Sequence, residues 1–444
     1  MNADLLFRDS LKLSGDPRLA ETQWEGLRPF LSDAAKKTDG LRFLFALLGN
    51  SRFLVERLIR FPDPATAVDA LVSSRHLLKP KTDREMSEEF SSAYARRVPR
   101  DLASGQKLLR VFKYGEMTRI AARDLSGLAP HEEIGRELAA LAAVATEGAL
   151  KIAEDLVHDR DPAPFTVFAL GKFGGEDLNF SSDIDILYVH GRPRSESGGR
   201  VVLEHYCRVS ETVTRLLHDR TEDGFVFRVD LDLRPEGKSG VIVNSVDALA
   251  SYYETSGAVW ERAVLTKARP VAGDAELGRE TLALLAPFVY PRHLDSSSID
   301  GLKSMKSRIN AEMNKTKGGG YHVKLGAGGI REIEFFVTAF QLIYGGKDPT
   351  LRERHTLTAL SALRDRGLVP AEDAARLADA YVFLRRIENR LQMEDERQTH
   401  RLPTATEEKT ALARRMGFAD TAAFEEALTE KTGFVYSCFE RLAS

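Results

Sequence analysis

The chain has 444 residues, of which 43% are hydrophobic and 29% charged, with a formal net charge of −3 at pH 7. This length predicts two or three domains, and this composition is typical of a globular protein. A chain so close to neutrality has no overall electrostatic attraction to nucleic acid or to an anionic membrane, so we expect neither as a partner. Any anion-binding site must therefore be local.

Cysteine usage and the apolar runs indicate the compartment. The two cysteines, Cys207 and Cys438, lie far apart and outside any metal-binding spacing, which predicts a reducing, cytoplasmic environment without disulfide bonds. The N-terminus lacks a basic segment followed by a long apolar stretch, so we expect no signal peptide. The longest apolar runs, such as "TLALLAPFVY", are well short of the roughly 20 residues that cross a bilayer.

The first part of the chain has a helical pattern. Apolar residues recur at three- and four-residue intervals in "LRFLFALLGNSRFLVERLIRF", with a break at Gly49 and Asn50. The later stretch "HEEIGRELAALAAVATEGALKIAEDLV" predicts a long helix that is buried on one face. We assign residues 1–117 to an N-terminal helical region.

Short β-branched and aromatic runs follow the long helix. Four strands are predicted at "PFTVFAL", "DIDILYVH", "GFVFRVDLDLRP" and "VIVN", and a helix at "VLEHYCRVSETVTRLLHDR" follows a polar loop at 191–200. Strands mixed with helices indicate an α/β or α+β domain, which we place at residues 118–345. Residues 346–444 are helical again, and we expect a C-terminal helical bundle there.

Two aspartates stand one residue apart inside the second predicted strand. Alternate residues of a strand share a face, so Asp183 and Asp185 point the same way, about 6.5–7 Å apart, while Ile184 and Ile186 enter the core. The third predicted strand presents Asp230 in the same manner. Two neighbouring strands would thus bring several carboxylates into a shared space.

The polar face of the third predicted strand carries two carboxylates between two guanidinium groups. Its residues are Arg228, Asp230, Asp232 and Arg234. Carboxylates that share a space repel one another, and Mg²⁺ relieves this repulsion while substrate phosphate oxygens complete its octahedron. The alternative is an exposed strand face on which the arginines form salt bridges with the aspartates. The glycine turn that precedes the aspartate pair favours the metal site.

That turn begins at Gly171 and Lys172, with ten residues between Lys172 and Asp183. Glycine lets a backbone approach phosphate, and the amide groups at a helix start can bind it. Neither a P-loop nor a G-x-G-x-x-G fingerprint is present. The glycine turn, D-x-D on the next strand and a third aspartate on a later strand resemble the DNA polymerase β-type nucleotidyltransferase superfamily. Members usually carry Gly-Ser at this turn, so the chain departs from the pattern at position 172.

A second glycine-rich stretch, "KGGGYHVKLGAGGIREIEFF", predicts a strand, a turn and a helix that begins near Ile330. Lys324 and Arg331 flank the turn and could hold a phosphate at the helix N-terminus, the alternative being a turn that only packs helices. Two further stretches, "VWERAVLTKARPVAGD" and "RRIENRLQMEDERQTHRLP", are typical of solvated helix faces when each is taken alone.

Together these stretches resemble one family, the bifunctional glutamine synthetase adenylyltransferase/adenylyl-removing enzymes. The matching segments occur in the family's order from about residue 106 to residue 403. They include "GKFGGEDLNFSSDIDILY", "FRVDLDLRPEGKSG", "KLGAGGIREIEFF" and "RRIENRLQMEDERQTHRLP". The "NFSSDID" form resembles the N-terminal half, which removes AMP from a tyrosine of glutamine synthetase. Asp232 departs from the pattern, because many members have arginine there.

The resemblance implies a polymerase β-type α+β nucleotidyltransferase domain flanked by helical N- and C-terminal regions. It implies Asp183, Asp185 and Asp230 as catalytic residues and as ligands of Mg²⁺ or Mn²⁺. It also implies contacts to nucleotide and phosphate from Gly171, Lys172, Gly174, Gly175, Ser182, Arg234, Lys324 and Arg331. The implied partners are glutamine synthetase, the PII signal-transduction protein, inorganic phosphate and adenine nucleotide.

Two other functions are compatible with these residues. The same carboxylates would serve the forward reaction, in which ATP adenylylates the tyrosine of glutamine synthetase. A regulatory module that docks PII through a decayed site belongs to a different class, and the three intact aspartates argue against it.

Overall fold

The computed structural model describes residues 3–11, 14–157, 163–192, 199–293, 295–316 and 318–442. The N-terminal helices are α1 Ala3–Ser10, α2 Pro17–Leu27, α3 Leu41–Leu47, α4 Arg52–Ile59, α5 Pro64–Ser73, α6 Asp83–Arg96 and α7 Leu102–Leu125. The central elements are α8 His131–Val157, β1 Phe165–Ala169, α9 Gly171–Gly174, β2 Ile184–His190, α10 Gly199–His218, β3 Val229–Asp230, β4 Val243–Ser245, α11 Val246–Thr255, α12 Val259–Leu265, β5 Arg269–Gly273 and α13 Ala275–Val289. The C-terminal helices are α14 Ser296–Lys315, α15 Ile330–Tyr344, α16 Thr356–Asp365, α17 Ala371–Met393, α18 Thr406–Arg415 and α19 Thr421–Arg441.

The five strands form one mixed sheet. β1 pairs antiparallel with β2 on one side and with β5 on the other, while β3 and β4 both pair parallel with β2, at different points along it. In this register Val167 lies opposite Tyr188, and Asp185 lies opposite Asp230. The carboxylate-bearing end of β2 is therefore next to β3. The predicted α+β fold is confirmed.

Both faces of the central strands are buried, which explains their nearly continuous apolar sequences. Phe165 and Ile186 belong to a large core that also contains residues of the N-terminal helices. Phe168 and Leu187 face a second core with residues of α11, α12 and α13. Ile184, like Ile186, has no exposed surface, as the alternation predicts.

The two predicted domain limits differ in where they fall in the fold. The first, between residues 117 and 118, lies inside the continuous helix α7, and the N-terminal helices share their core with the sheet. The second, between residues 345 and 346, directly follows α15, which packs on α16, α17 and α19 in a separate core. The division into three regions stays a prediction.

The elements differ from prediction in three places. The third predicted strand keeps only Val229–Asp230 in β3 and then turns, so the expected alternation through Asp232 and Arg234 is wrong. β5 lies in a stretch whose pattern predicts a helix face. The strand expected before Ile330 is limited to one bridge between His322 and Arg401, although the helix begins at Ile330 as predicted.

Two further predictions concern loops and membranes. The polar loop predicted at 191–200 lies largely outside the described residues, which omit 193–198. No helix in the described parts of the chain is both long enough and apolar enough to cross a membrane.

The polar residues near the end of α17 are buried, and the prediction of a solvated face is wrong. They are Arg385, Glu388, Asn389, Arg390 and Gln392, each at most 3% exposed. The reason is that four of them, all except Asn389, form ion pairs or hydrogen bonds with residues far away in the chain. Arg390 donates to both carboxylate oxygens of Asp124 and to its carbonyl, which joins α17 to α7.

We expect Arg390→Met to lower the free energy of unfolding by about 3–5 kcal/mol, because it leaves the Asp124 carboxylate buried without its cation. Chemical denaturation followed by circular dichroism measures this. Arg84→Met is the control, since the Arg84–Glu88 pair is 88% and 61% exposed and should contribute less than about 1 kcal/mol. Equal losses in the two variants would contradict a structural role for the buried pair.

Candidate active site

The glycine turn follows β1, consists of the short helix α9 and Gly175, and contacts the start of β2. The N–H of Leu170 donates to the carbonyl of Asp185 at 2.9 Å. Gly171 has a φ of +54°, and a Cβ atom there would lie 2.3 Å from Oδ2 of Asp185. A side chain at this position would therefore be strained and would also displace the carboxylate.

The other predicted residues of the turn are packed against protein. A Cβ atom on Gly174 would lie 2.0 Å from the carbonyl oxygen of Lys267, and one on Gly175 would lie 3.2 Å from the carbonyl oxygen of Arg354. Ser182 is buried directly before Asp183. These positions explain why the turn needs small residues, and their contact with a nucleotide stays a prediction.

Asp185 and Asp230 form the carboxylate pair of the site. They are register partners in a parallel pair of strands, so both side chains point to the same face of the sheet. Burial, followed by the negative charge of Asp230, raises the pKa of Asp185 to about 6. The backbone N–H of Asp232 donates to Oδ1 of Asp230 at 2.7 Å, which fixes that carboxylate at the end of β3.

Asp183 lies one residue before β2 and is held by other groups. Nε of Arg228 lies 2.5 Å from its Oδ1, and Nε2 of Gln398 donates to its Oδ2 at 2.8 Å. The ion pair with Arg228 is a salt bridge of the kind that the alternative interpretation of this face predicts. Asp183 thus has partners of its own, although its negative charge also contributes to the raised pKa of Asp185.

These contacts decide how well the three aspartates could bind a divalent cation. Across the described residues, no three or more His, Cys, Asp or Glu side chains form a group that could hold a metal ion. Two of the predicted ligands, Asp185 and Asp230, do stand together, and their mutual repulsion is what a divalent cation relieves. A pair of carboxylates completed by substrate phosphate oxygens is a donor set that suits Mg²⁺.

The two polar residues that follow β3 have their own partners. The carboxylate of Asp232 pairs with the ammonium of Lys238 at 3.3 Å. The guanidinium of Arg234 donates to the carbonyl oxygens of Leu231, Lys238 and Gly240 at 2.8, 3.1 and 3.0 Å. Arg234 shapes the loop after β3, and a contact from it to phosphate stays a prediction.

A cavity of about 470 Å³ opens beside Asp185, between the glycine turn and helices α12, α14, α15 and α17. Its charged lining is Lys172, Asp185, Lys267, Arg308, Glu312, Lys324, Arg331, Glu334, Arg385 and Glu388. Its apolar lining includes Leu233, Trp260, Val264, Met305, Ile309, Ile330 and Phe335. The lining therefore offers cationic groups to charged oxygens and apolar side chains to a planar apolar group.

Three predicted basic residues line this cavity. The positive charges of Lys324 and Lys172 both favour the ionised form of Asp185 and so lower its pKa. Burial lowers the pKa of Lys172 to about 8, although Glu388, 3.5 Å away, opposes this shift. Arg331 lies in the first turn of α15 and pairs with Glu312 at 2.8 Å.

A buried ionic network supports the glycine turn from behind. Arg385 of α17 lies 3.1 Å from Asp177 and 2.9 Å from Glu388, and all three side chains are at most 1% exposed. Although burial opposes ionisation, Arg385 and His131 hold the pKa of Asp177 well below its usual value. Tyr381 also donates to Asp177. Sequence reasoning misses this network, because a run of polar residues on a helix is typical of a solvated face.

Comparisons with known proteins identify the family of the chain. The family model described as glutamate-ammonia ligase adenylyltransferase matches residues 41–284, and the one described as GlnD PII-uridylyltransferase matches residues 303–443. Two relatives are named bifunctional glutamine synthetase adenylyltransferase/adenylyl-removing enzyme. That of Nitrosococcus oceani is 42% identical over 352 residues, covering 76% of this chain and 36% of the relative. That of Thioalkalivibrio sulfidiphilus is 40% identical over 384 residues, covering 84% of this chain and 39% of the relative.

The mixed sheet with its helical flanks and the family-model match over residues 41–284 define a nucleotidyltransferase-type fold. The chain belongs to the glutamate-ammonia ligase adenylyltransferase family. The resemblance found in the sequence is thereby confirmed, while the match of the C-terminal helices to a second family was not predicted. The chain spans little more than a third of the length of these curated relatives.

We expect Gly171→Ala to move the Asp185 side chain by several tenths of an ångström, because the new methyl group would overlap its carboxylate. Crystal structures of the variant and the unmodified protein measure this. Gly127→Ala is the matched control, since Gly127 has a φ of +71° but no heavy atom within 4 Å of the place that a Cβ atom would take. An unmoved Asp185 in the Gly171 variant would contradict the close approach.

Proposed function

We propose that the chain removes AMP from an adenylylated tyrosine of glutamine synthetase by phosphorolysis and releases ADP. The observation that supports this most is the cavity lined by Asp185, Lys172 and Lys324 together with apolar side chains, with Asp230 beside Asp185 on the next strand. A nucleoside phosphate has the matching parts, a charged phosphate and a flat base. The names of the relatives support glutamine synthetase as the protein substrate.

The adenylyl group is placed with its phosphate at the turn and its base at α12. Lys172 and Lys324 supply positive charge where the phosphate oxygens would lie, and Trp260 offers an aromatic face to adenine. Arg331 stands in the first turn of α15, where its guanidinium and the positive end of the helix dipole favour a second anion. We assign that position to the attacking inorganic phosphate.

The reaction needs no covalent intermediate with the protein. An oxygen of hydrogen phosphate forms a bond to the adenylyl phosphorus, the bond from that phosphorus to the tyrosine oxygen breaks, and that oxygen takes up the proton that the hydrogen phosphate carried. Lys172 and Lys324 stabilise the charge that spreads over the phosphate oxygens. The buried network around Arg385 keeps Lys172 beside Glu388 and orients its ammonium group.

Asp185 and Asp230, with Asp183 as a third ligand, are proposed to hold Mg²⁺ or Mn²⁺. A bound divalent cation would neutralise phosphate oxygens and the developing negative charge. Asp183 can join this set only if its contacts with Arg228 and Gln398 leave a lone pair of the carboxylate directed at the cation. Each carboxylate oxygen has two lone pairs, so these single contacts are compatible with that role.

The proposed direction of the reaction, removal of AMP, rests on two further observations. The "NFSSDID" form at the aspartates resembles adenylyl-removing halves, and the C-terminal match to a PII-uridylyltransferase family supports removal and a contact with PII. Transfer of AMP from ATP to tyrosine is the alternative, because the same carboxylates and lysines would serve it. We place both reactions in the cytoplasm, as the cysteine usage predicts.

Incubation of the protein with adenylylated glutamine synthetase, phosphate and Mg²⁺ should yield ADP and unmodified glutamine synthetase. Asp185→Asn and Asp183→Asn should each reduce this rate by at least about 10²-fold, because a charged group of the site is lost. Asp33→Asn is the control, since Asp33 has a side chain that is 92% exposed. Labelled ATP with unmodified glutamine synthetase tests the alternative, and transfer of label without ADP release would reverse the proposed direction.

The base-binding wall can be tested without the protein substrate. Trp260→Ala should weaken ADP binding by roughly 5- to 150-fold, the loss expected for one stacked base, whereas Trp260→Phe should keep most of the affinity. Calorimetric titration with ADP measures both dissociation constants. Equal affinities in the two variants and the unmodified protein would place the base elsewhere.

A further inference from the structure

We propose that Gln398 is a positioning residue for Asp183, and that the segment 394–400, here called the strap, holds it in place. This inference rests on the proposed function, since it concerns how the same site is oriented. The strap has the sequence "EDERQTH" and follows the end of α17. It brings a residue of the C-terminal region to the carboxylate at the start of β2.

The contact between Gln398 and Asp183 is direct. Nε2 of Gln398 donates to Oδ2 at 2.8 Å, while Arg228 donates to Oδ1. The guanidinium of Arg228 is itself fixed by the carbonyl and the hydroxyl of Ser181 at 2.6 and 3.2 Å. The two oxygens of Asp183 are therefore held from two sides, which sets the rotation of the carboxylate.

The strap is tied to the loop that carries Asp183. The hydroxyl of Ser181 donates to the carbonyl of Glu396 at 2.9 Å, and its N–H donates to the side-chain oxygen of Gln392 at 3.0 Å. At the other end of the strap, Nδ1 of His400 lies 2.7 Å from the Glu388 carboxylate that pairs with Lys172. The strap thus contacts both the aspartate and the lysine sides of the site.

The strap is also anchored to the N-terminal helices. The carboxylate of Glu396, 7% exposed, pairs with Lys113 and accepts from the hydroxyl of Tyr114 at 3.2 Å. The N–H of Phe53 donates to the carbonyl of Glu394 at 3.1 Å. These anchors connect residues of α4 and α7 to the position of Gln398.

The backbone of Glu396 supports the same conclusion. Its φ is +53°, in the left-handed region that a residue with a side chain adopts only where its surroundings require it. The buried carboxylate with its two partners supplies that requirement, and the resulting turn directs the strap back toward Asp183. Gln398 is exposed, so its contact with Asp183 is not a by-product of core packing.

Gln398→Glu tests this proposal, because it keeps the size of the side chain, removes the donor and sets a negative charge against Asp183. Hydrogen bonds that orient metal-binding side chains typically change affinity or activity 10- to 100-fold, so we expect a loss of about that order in kcat for phosphorolysis. The KM and the thermal unfolding midpoint should stay unchanged. Gln398→Ala should show a smaller loss in the same direction.

A second measurement separates this inference from the proposed function. Titration of the protein with Mn²⁺, followed by electron paramagnetic resonance, should show about 10-fold weaker binding in the Gln398→Glu variant. Arg397→Ala is the matched control, because this neighbouring side chain is 78% exposed and pairs only loosely, at 3.8 Å, with Asp395 of the same strap.

The outcomes are distinct. If the unmodified protein binds Mn²⁺ but releases no ADP, the proposed function fails and the Mn²⁺ titration still decides the role of Gln398. If both Gln398 variants match the unmodified protein in kcat and in Mn²⁺ affinity, the positioning role is overturned. A lowered unfolding midpoint together with a proportional loss in Arg397→Ala would show a structural contact only, and would also overturn it.

Discussion

The buried contact of Arg385 with Asp177 and Glu388 is the constraint on which the rest of the site depends. All three side chains are nearly inaccessible to water, so each charge is stable only while its partners are in place. Asp177 follows the glycine turn, whereas Arg385 and Glu388 lie on α17. The contact therefore fixes the C-terminal helices against the turn, and Glu388 extends the network to Lys172 and His400.

Because of this contact, the site is assembled from parts that are distant in the chain. The sheet supplies the Asp185–Asp230 pair, helices α12, α14 and α15 supply the walls of the cavity, and α17 supplies the charges behind Lys172. The strap adds a contact from the C-terminal region to Asp183. A helical region that matches a different family model is thus part of the site rather than a separate appendage.

Local patterns predict the parts of the fold that depend on neighbouring residues. The long apolar stripe predicts the helix α8, and alternation places Ile184 and Ile186 in the core. β5 was missed because an edge strand containing arginine, proline and glycine has no strand pattern of its own and is defined by its pairing with β1. The burial of Arg385 was missed because its partner Asp177 is 208 residues away.

The central claim is that the cavity beside Asp185 binds the nucleotide. A crystal structure with ADP and Mn²⁺ tests this claim most directly. We predict an anomalous manganese peak at the carboxylates of Asp185 and Asp230, phosphate oxygens beside Lys172 and Lys324, and adenine against Trp260. Nucleotide bound at another surface, or manganese away from this carboxylate pair, would contradict the account.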